Sequence, residues 1–453
     1  MISIIDQPST RTNMSEPQKA REPVPKSSPV PDDFSESGNE LKEGLPCQNE
    51  EEGAIYDFQA FVAQLRDPRA DPILRYTRSF LNNFVTKREL WTCEEQRKLV
   101  DDFKVFVYGK LPLYEPFQSL NAGKFKNAQE GIEKLIMGKL YGYCFSPSLE
   151  LRFQDKLDAS HQEDLDQDER LRRKRAEFCF IDPGHLEIPE SLSRRLLKFT
   201  QLSGKELARI TEYKAPRDKM VCVLNACRVL FGFLKHSGLE NGGADAFVPV
   251  LVYTLLKSDV ESLLSNLNYI ERFRYTEFLR GESAYYLSSV QGAANFIAHL
   301  KQESLHISDV STFEERYTAN QEILKQEESH AESSTSVTAV PSATPPRPAP
   351  SHYIRRPLDE ATSALLVKVS ELFSSNPTEP RDKEGGPEVS AETDLDPDST
   401  RLVQQLQEQE NQRVLEELHD MFPEMDQGLI HDVCEAKKYR IGMCVDVLLT
   451  LSS

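Results

Sequence analysis

Apolar positions between Gly242 and Phe296 fall into three stripes of helical period separated by breaks that carry glycine or serine. In the first, Phe247, Val250, Leu251, Thr254 and Leu255 recur at i, i+3, i+4, i+7 and i+8, while Val248, Val252 and Leu256 fill the other side. A helix apolar nearly all round is a buried one. Asp245, following Gly242 and Gly243, has the chemistry of an N-cap, which places Pro249 in the first turn, where a missing N–H costs little. Ser258 and Glu261 have the spacing of a capping box ahead of Leu263, Leu267 and Ile270. After Gly281, the stripe Tyr286, Val290, Ala293, Ile297 and Leu300 turns Tyr286 toward the core. Tyr285 is then rotated about 100° away. Its face carries Ser288, Ser289 and Gly292, small residues beside which another backbone fits. An aromatic in that setting either anchors a partner or covers a loop.

The same periodicity organises the rest of the chain. Phe58, Phe61, Val62 and Leu65 share a helix face, and Asp71-Pro72 reads as an N-cap followed by proline at the first helical position, leading into Tyr76, Phe80 and Phe84. Thr92 and Glu95 form a capping box before Leu99, Phe103 and Phe106, and a fourth helix carries Ile132, Leu135, Ile136 and Leu140. Four amphipathic helices with modest connections predict a bundle over 53–150. Residues 151–305 form a second helical unit, in which Met220, Val223, Leu224, Cys227, Leu230, Phe231 and Leu234 mark a strongly apolar helix sharing a core with the 242–296 stretch. The charged segment 155–176 contains Arg172, Arg173, Lys174 and Arg175; the acids before them favour a solvated helix with internal pairs over a phospholipid or partner patch. Residues 1–52 and most of 306–407 have the composition of disordered segments, the latter with a polyproline-like run at 345–350 and a short amphipathic segment at Leu365, Val369, Leu372 and Phe373. Residues 408–453 carry three short apolar stripes, near the lower limit for a folded unit. The expected class is all-α: a bundle packed on a layered helical domain, then a linker and a small three-helix domain.

Charge narrows the function. A formal charge of -19 over 453 residues argues against a nucleic-acid binder, whose phosphate contacts need a basic face. No apolar run reaches the length of a membrane span and the N-terminus lacks a signal-peptide pattern, so the expectation is a cytoplasmic protein. Eight cysteines without a C-x-x-C pair give no reason to expect a metal. No glycine-rich phosphate loop is present, so no cofactor is expected and the chain should not bind GTP itself.

Several stretches, in order, resemble the vacuolar protein sorting nine family, exchange factors for Rab-five-type GTPases. They are DPILRYTRSFL from Asp71, GIEKLIMGKLY from Gly131, YKAPRDKMVCVLNACRVLF from Tyr213, ADAFVPVL from Ala244, SNLNYIERF from Ser265 and GESAYYLSSVQGAANFI from Gly281. The tail resembles a CUE domain, a ubiquitin-binding module, through Met421-Phe422-Pro423 and Leu448-Leu449; of these, Met421, Pro423 and Leu449 are the better candidates for an apolar surface patch and Phe422 and Leu448 for core. The resemblance implies that Asp245 enters the nucleotide site of a small GTPase and that Tyr285 contacts its switch region, with Pro249, Ser288, Ser289 and Gly292 as further contact positions. Ala246 stands where some relatives have a second acid, leaving Asp245 as the single candidate. It further implies ubiquitin or ubiquitinated cargo as a partner and peripheral association with endosomal membrane. The competing reading is a non-catalytic ubiquitin-binding adaptor that uses the same fold as a scaffold.

Overall fold

The computed structural model describes residues 56–87, 90–153, 156–239, 243–335 and 397–452, all within the unit Gln48–Ser453. Regular structure among the described residues is helical throughout, in keeping with the all-α expectation. The first helices are α1 (Phe58–Arg66), α2 (Asp71–Val85), α3 (Cys93–Lys110), the short α4 (Glu115–Gln118) and α5 (Ala122–Cys144). They are followed by α6 (Ser146–Phe153), α7 (Ala159–Glu177), α8 (Ser193–Ala208), α9 (Pro216–Lys235), α10 (Ala244–Lys257), α11 (Leu263–Phe273) and α12 (Glu282–Ala298). The last are α13 (Val310–Thr335), α14 (Pro397–Met421), α15 (Gln427–Ala436) and α16 (Ile441–Ser452). The expected disordered segment at 1–52, the polyproline-like run and the Leu365–Phe373 segment lie outside the described residues.

Two apolar cores form. The bundle core gathers Phe61, Val62, Leu65, Ile73, Val100, Phe103, Ile132, Ile136 and Leu140, with Phe80 stacked on Phe103 at 4.1 Å between ring centroids. The Thr92–Glu95 capping box is made in both directions. At α2 the cap is Ala70, one residue earlier than the aspartate chosen from sequence, with Pro72 still inside the first turn. The second core is built around α9, whose Val223, Ala226, Cys227, Leu230 and Leu234 are buried among α8, α10, α11 and α12.

The two cores are joined by α11. Its Tyr269 and Phe273 belong to the bundle core, and the residues just after it enter a buried ionic network. Arg274 donates to Glu133 at 2.7 Å and to Glu130 at 2.6 Å, and the Tyr275 amide donates to Glu133 at 2.7 Å. Lys104 lies 3.3 Å from Glu133, and Arg217 of α9 donates to Glu130 at 3.0 Å. Charges removed from water this far are costly to separate from their partners, so the pairs hold α3, α5, α9 and the end of α11 in one relative position.

Three local expectations are corrected. The Ser258–Glu261 capping box does not form: α11 begins at Leu263 after Ser262 in the left-handed region, at φ 50°, and the Ser258 hydroxyl donates to the Thr254 carbonyl instead. The cap comes from far away in sequence. Asp168 of α7 accepts from the amides of Leu264 at 2.8 Å and Ser265 at 3.2 Å. Burial pushes the Asp168 carboxyl up from 3.8 to about 6 against those hydrogen bonds. A raised carboxyl contributes stability that is complete below pH 3.8 and lost as pH rises through 6. Asp168→Asn is therefore expected to flatten the stability profile between pH 4 and 6, measured by denaturant titration at several pH values; an unchanged profile would contradict the assignment.

The charged segment forms α7, with Arg172 and Arg173 paired to Glu169 and Arg170 to Glu163, as a solvated face should be. Its other face is not solvated: buried Asp164 accepts from Arg272 at 2.5 Å and from Asn268 at 2.8 Å. Finally, the linker does not begin at residue 306. Helix α13 packs on α7, burying Phe313 and setting Tyr317 against Phe178 and Phe180. Helix α14 starts at Pro397, ahead of the boundary drawn at 408.

Candidate functional site

The acid and the tyrosine singled out by sequence lie on packed neighbours, α10 and α12. Helix α10 starts from Gly243, at φ 71°, where a Cβ would sit 3.0 Å from Leu234 Cβ and 3.1 Å from its carbonyl oxygen. Both facts demand glycine. Gly243 is thus the cap, and Asp245 is the second residue of the helix rather than the capping residue expected. Its carboxylate has no hydrogen bond or ion pair with any described residue, and it stands at the positive end of the helix dipole, which favours an anion there. The side chain is therefore not spent on capping and is free to meet a partner.

Pro249 lies deeper than the first turn, inside α10. Its missing N–H is the one that would bond the Asp245 carbonyl four residues earlier, so the backbone at Asp245 is held less tightly than in an uninterrupted helix.

On α12 the periodicity assignment holds: Tyr286 is 5% exposed and Tyr285 39%. Burial pushes the Tyr286 phenol up. The ring of buried Phe247, between Asp245 and Val248 on α10, stacks on Tyr285 at 6.2 Å and meets Tyr286 at 5.9 Å. Phe247 thus forms the floor on which Tyr285 rests. Ser288 and Ser289 donate back to the Tyr285 carbonyl at 2.9 and 2.8 Å, leaving their surface small and polar-satisfied beside Gly292. Two apolar members were missed. Val248, assigned from sequence to a buried side, is 48% exposed, and Phe296 is 40% exposed. The signal for Phe296 was present, since Tyr285, Ser289, Gly292 and Phe296 recur at i, i+4, i+7 and i+11. Arg228 of α9 grips Glu282 at the start of α12 with bonds of 2.9 and 2.5 Å, fixing the turn below Tyr285.

In the tail, Phe422 and Leu448 are buried, Met421 is half-buried and Pro423 is exposed. Leu449, expected on a free surface, is 1% exposed. The reason is tertiary: α16 packs on α9.

A profile described as the vacuolar sorting protein 9 (VPS9) domain matches residues 200–302, and a CUE domain profile matches 411–452. The chain carries a VPS9 domain and a CUE domain. Asp245, Val248, Tyr285 and Phe296 fall within the first match, and all five tail residues fall within the second. Residues 75–141 of the bundle match a domain of unknown function, DUF5601. The chain is 39% identical over 333 residues to vacuolar protein sorting-associated protein vps901 of Schizosaccharomyces pombe, covering 73% of this chain and 56% of that one. It is 31% identical over 292 residues to vacuolar protein sorting-associated protein 9A of Arabidopsis thaliana, covering 63% and 52%. To the Rab5 GDP/GTP exchange factor of Homo sapiens it is 28% identical over 266 residues, covering 57% and 50%. The chain thus spans about half the length of these relatives. No described helix is long and apolar enough to cross a membrane.

Proposed function

We propose that this chain is a guanine nucleotide exchange factor for Rab-five-type small GTPases whose CUE domain binds ubiquitin, acting in endosomal and vacuolar trafficking as a peripheral partner of the membrane. The observation that carries the reading is the Asp245 carboxylate at the start of α10, without a partner among the described residues, with the exposed Tyr285 on the packed neighbour α12. The VPS9 match and the human relative named as a Rab5 exchange factor support it.

The mechanism follows from charge. A GTPase holds its nucleotide through magnesium and a P-loop lysine on the phosphates. A carboxylate brought into that site repels the phosphates and pairs with the freed lysine, favouring the empty GTPase over the loaded one. Exchange factor and nucleotide then weaken each other's binding reciprocally, so incoming nucleotide expels the protein. Asp245 supplies the charge, while Tyr285, Val248 and Phe296 supply an apolar contact with Ser288, Ser289, Gly292 and Pro249 around it. No bond is made or broken in the exchange factor.

The two tyrosines test the face. Tyr285→Ala should lower kcat/KM for GDP release by about 30-fold, the effect of losing an interface anchor of roughly 2 kcal/mol, with an unchanged melting temperature. Tyr286→Ala should cost about 3 kcal/mol of stability first, as loss of a buried aromatic does. A folded, inactive Tyr286 variant beside a fully active Tyr285 variant would reverse the assignment.

A further inference from the structure

The CUE tail is seated on the VPS9 domain through a fitted surface. Each helix at the α9–α16 crossing contributes a glycine. A Cβ on Gly232 would lie 3.6 Å from the Asp446 Cα and 3.8 Å from its Cβ, and one on Gly442 would meet the Arg228 Cβ at 2.8 Å and the Asn225 carbonyl oxygen at 3.3 Å. The Asp446 carboxylate lies 3.4 Å from Lys235 Nζ and 3.3 Å from His236 Nε2. Beside this crossing, Arg413 of α14 donates to Glu206 at 2.9 Å and Arg209 pairs with Glu410 at 2.7 Å. Glu206 and Arg209 are buried, so undocking the tail removes a partner from charges already withdrawn from water. Leu418, Val445, Leu448 and Leu449 belong to the same apolar core as Leu230 and Leu234.

The face of α16 used here decides what the seat excludes. Gly442, Asp446 and Leu449 recur at i, i+4 and i+7, so Leu449 lies on the stripe that faces α9, which explains its burial. The GTPase-facing residues are left open by the same seat: Tyr285, Val248, Phe296 and Ser288 are all exposed with the tail in place.

We propose that the α9 surface and ubiquitin compete for one face of α16, so that the docked tail hides the ubiquitin-binding leucine while leaving exchange unimpeded. This rests on the reading of the tail as a ubiquitin binder. Ubiquitin then binds only the undocked fraction, and its apparent affinity is reduced by that fraction. Cargo carrying several ubiquitins offsets the cost of undocking through high local concentration.

The test is a reversible lock in the full chain. The separation of 3.8 Å between a Cβ at 232 and that of Asp446 equals the mean Cβ separation in disulfides, about 3.8 Å. The double variant Gly232→Cys, Asp446→Cys, oxidised with diamide, is expected to bind monoubiquitin at least tenfold more weakly than the same protein after reduction with dithiothreitol, with GDP release from the GTPase equal in both states. Gly232→Leu, which wedges a side chain against Asp446, is expected to bind ubiquitin about tenfold more tightly than the unaltered chain. Equal affinity in the oxidised and reduced protein, with the disulfide formed, overturns the competition. Absence of ubiquitin binding in every protein, including the wedge variant, overturns the ubiquitin reading itself. Slower exchange in the locked protein overturns the claim that the exchange face stays open.

Discussion

Asp245→Ala is expected to reduce accelerated GDP release by about 100-fold or more, the scale of losing one member of a close interfacial charge pair, while leaving folding intact. The second half follows from local geometry. The carboxylate has no described partner to lose, the cap of α10 is the backbone of Gly243, and alanine is a better helix former than aspartate. That gain in propensity is offset by loss of the favourable interaction between the carboxylate and the helix dipole, so the variant's melting temperature should be nearly unchanged. Asp245→Asn separates charge from shape: it keeps the side-chain size but removes the anion, and should be nearly as inactive. An active Asn variant would show that the side chain acts by filling space. Ala246, buried beside it, offers no second acid to rescue either variant.

Arg274→Ala is expected to be the most damaging single change to stability, by about 3–5 kcal/mol, the usual cost of removing one partner from a buried ion pair. The arginine is almost fully buried and bridges Glu130 and Glu133. Burial raises the Glu133 carboxyl, but Arg274 and Lys104 outweigh it and hold the group below its ordinary 4.5. A depressed carboxyl contributes stability that is present above its unfolded pKa and lost as pH falls through the folded value. The deficit of the variant should thus be full at pH 7 and shrink as pH falls below 4.5, because the stranded Glu133 can then take up a proton. Denaturant melts of both proteins across this range measure it; a deficit independent of pH would mean that Arg274 contributes through packing alone. Because the network joins the bundle to α9 and α11, exchange activity should fall with stability, even though no member lies on the proposed GTPase face.

Features encoded within one helical turn or one stripe were legible in the sequence. The Thr92–Glu95 capping box and the opposite orientations of Tyr285 and Tyr286 need only local spacing and periodicity, and both stand in the structure. What failed depended on residues distant along the chain. Asp168 caps α11 from 96 residues away, so the nearer Ser258 and Glu261 were a plausible local substitute with nothing to do. Asp245 has the chemistry of a cap, yet the close approach of Leu234 to Gly243 decides where the helix begins. Val248 fits a buried stripe as well as an exposed one, and only the tertiary packing around α10 decides between them. Leu449 was expected at the surface of a small isolated domain; its burial comes from α9, which no property of the tail sequence announces. Phe313 and Tyr317 similarly give α13 a packed face within a segment whose composition is otherwise that of a linker.

We propose that Asp245, presented on an open face of the VPS9 domain, drives nucleotide out of a Rab-five-type GTPase. The most direct measurement is release of fluorescent GDP from a panel of purified Rab GTPases mixed with the full chain and, separately, with the Asp245→Ala variant. Rapid release is expected from Rab-five-type members alone, returning to the spontaneous rate with the variant. Release at the spontaneous rate with the unaltered chain, or undiminished acceleration by the variant, would contradict it.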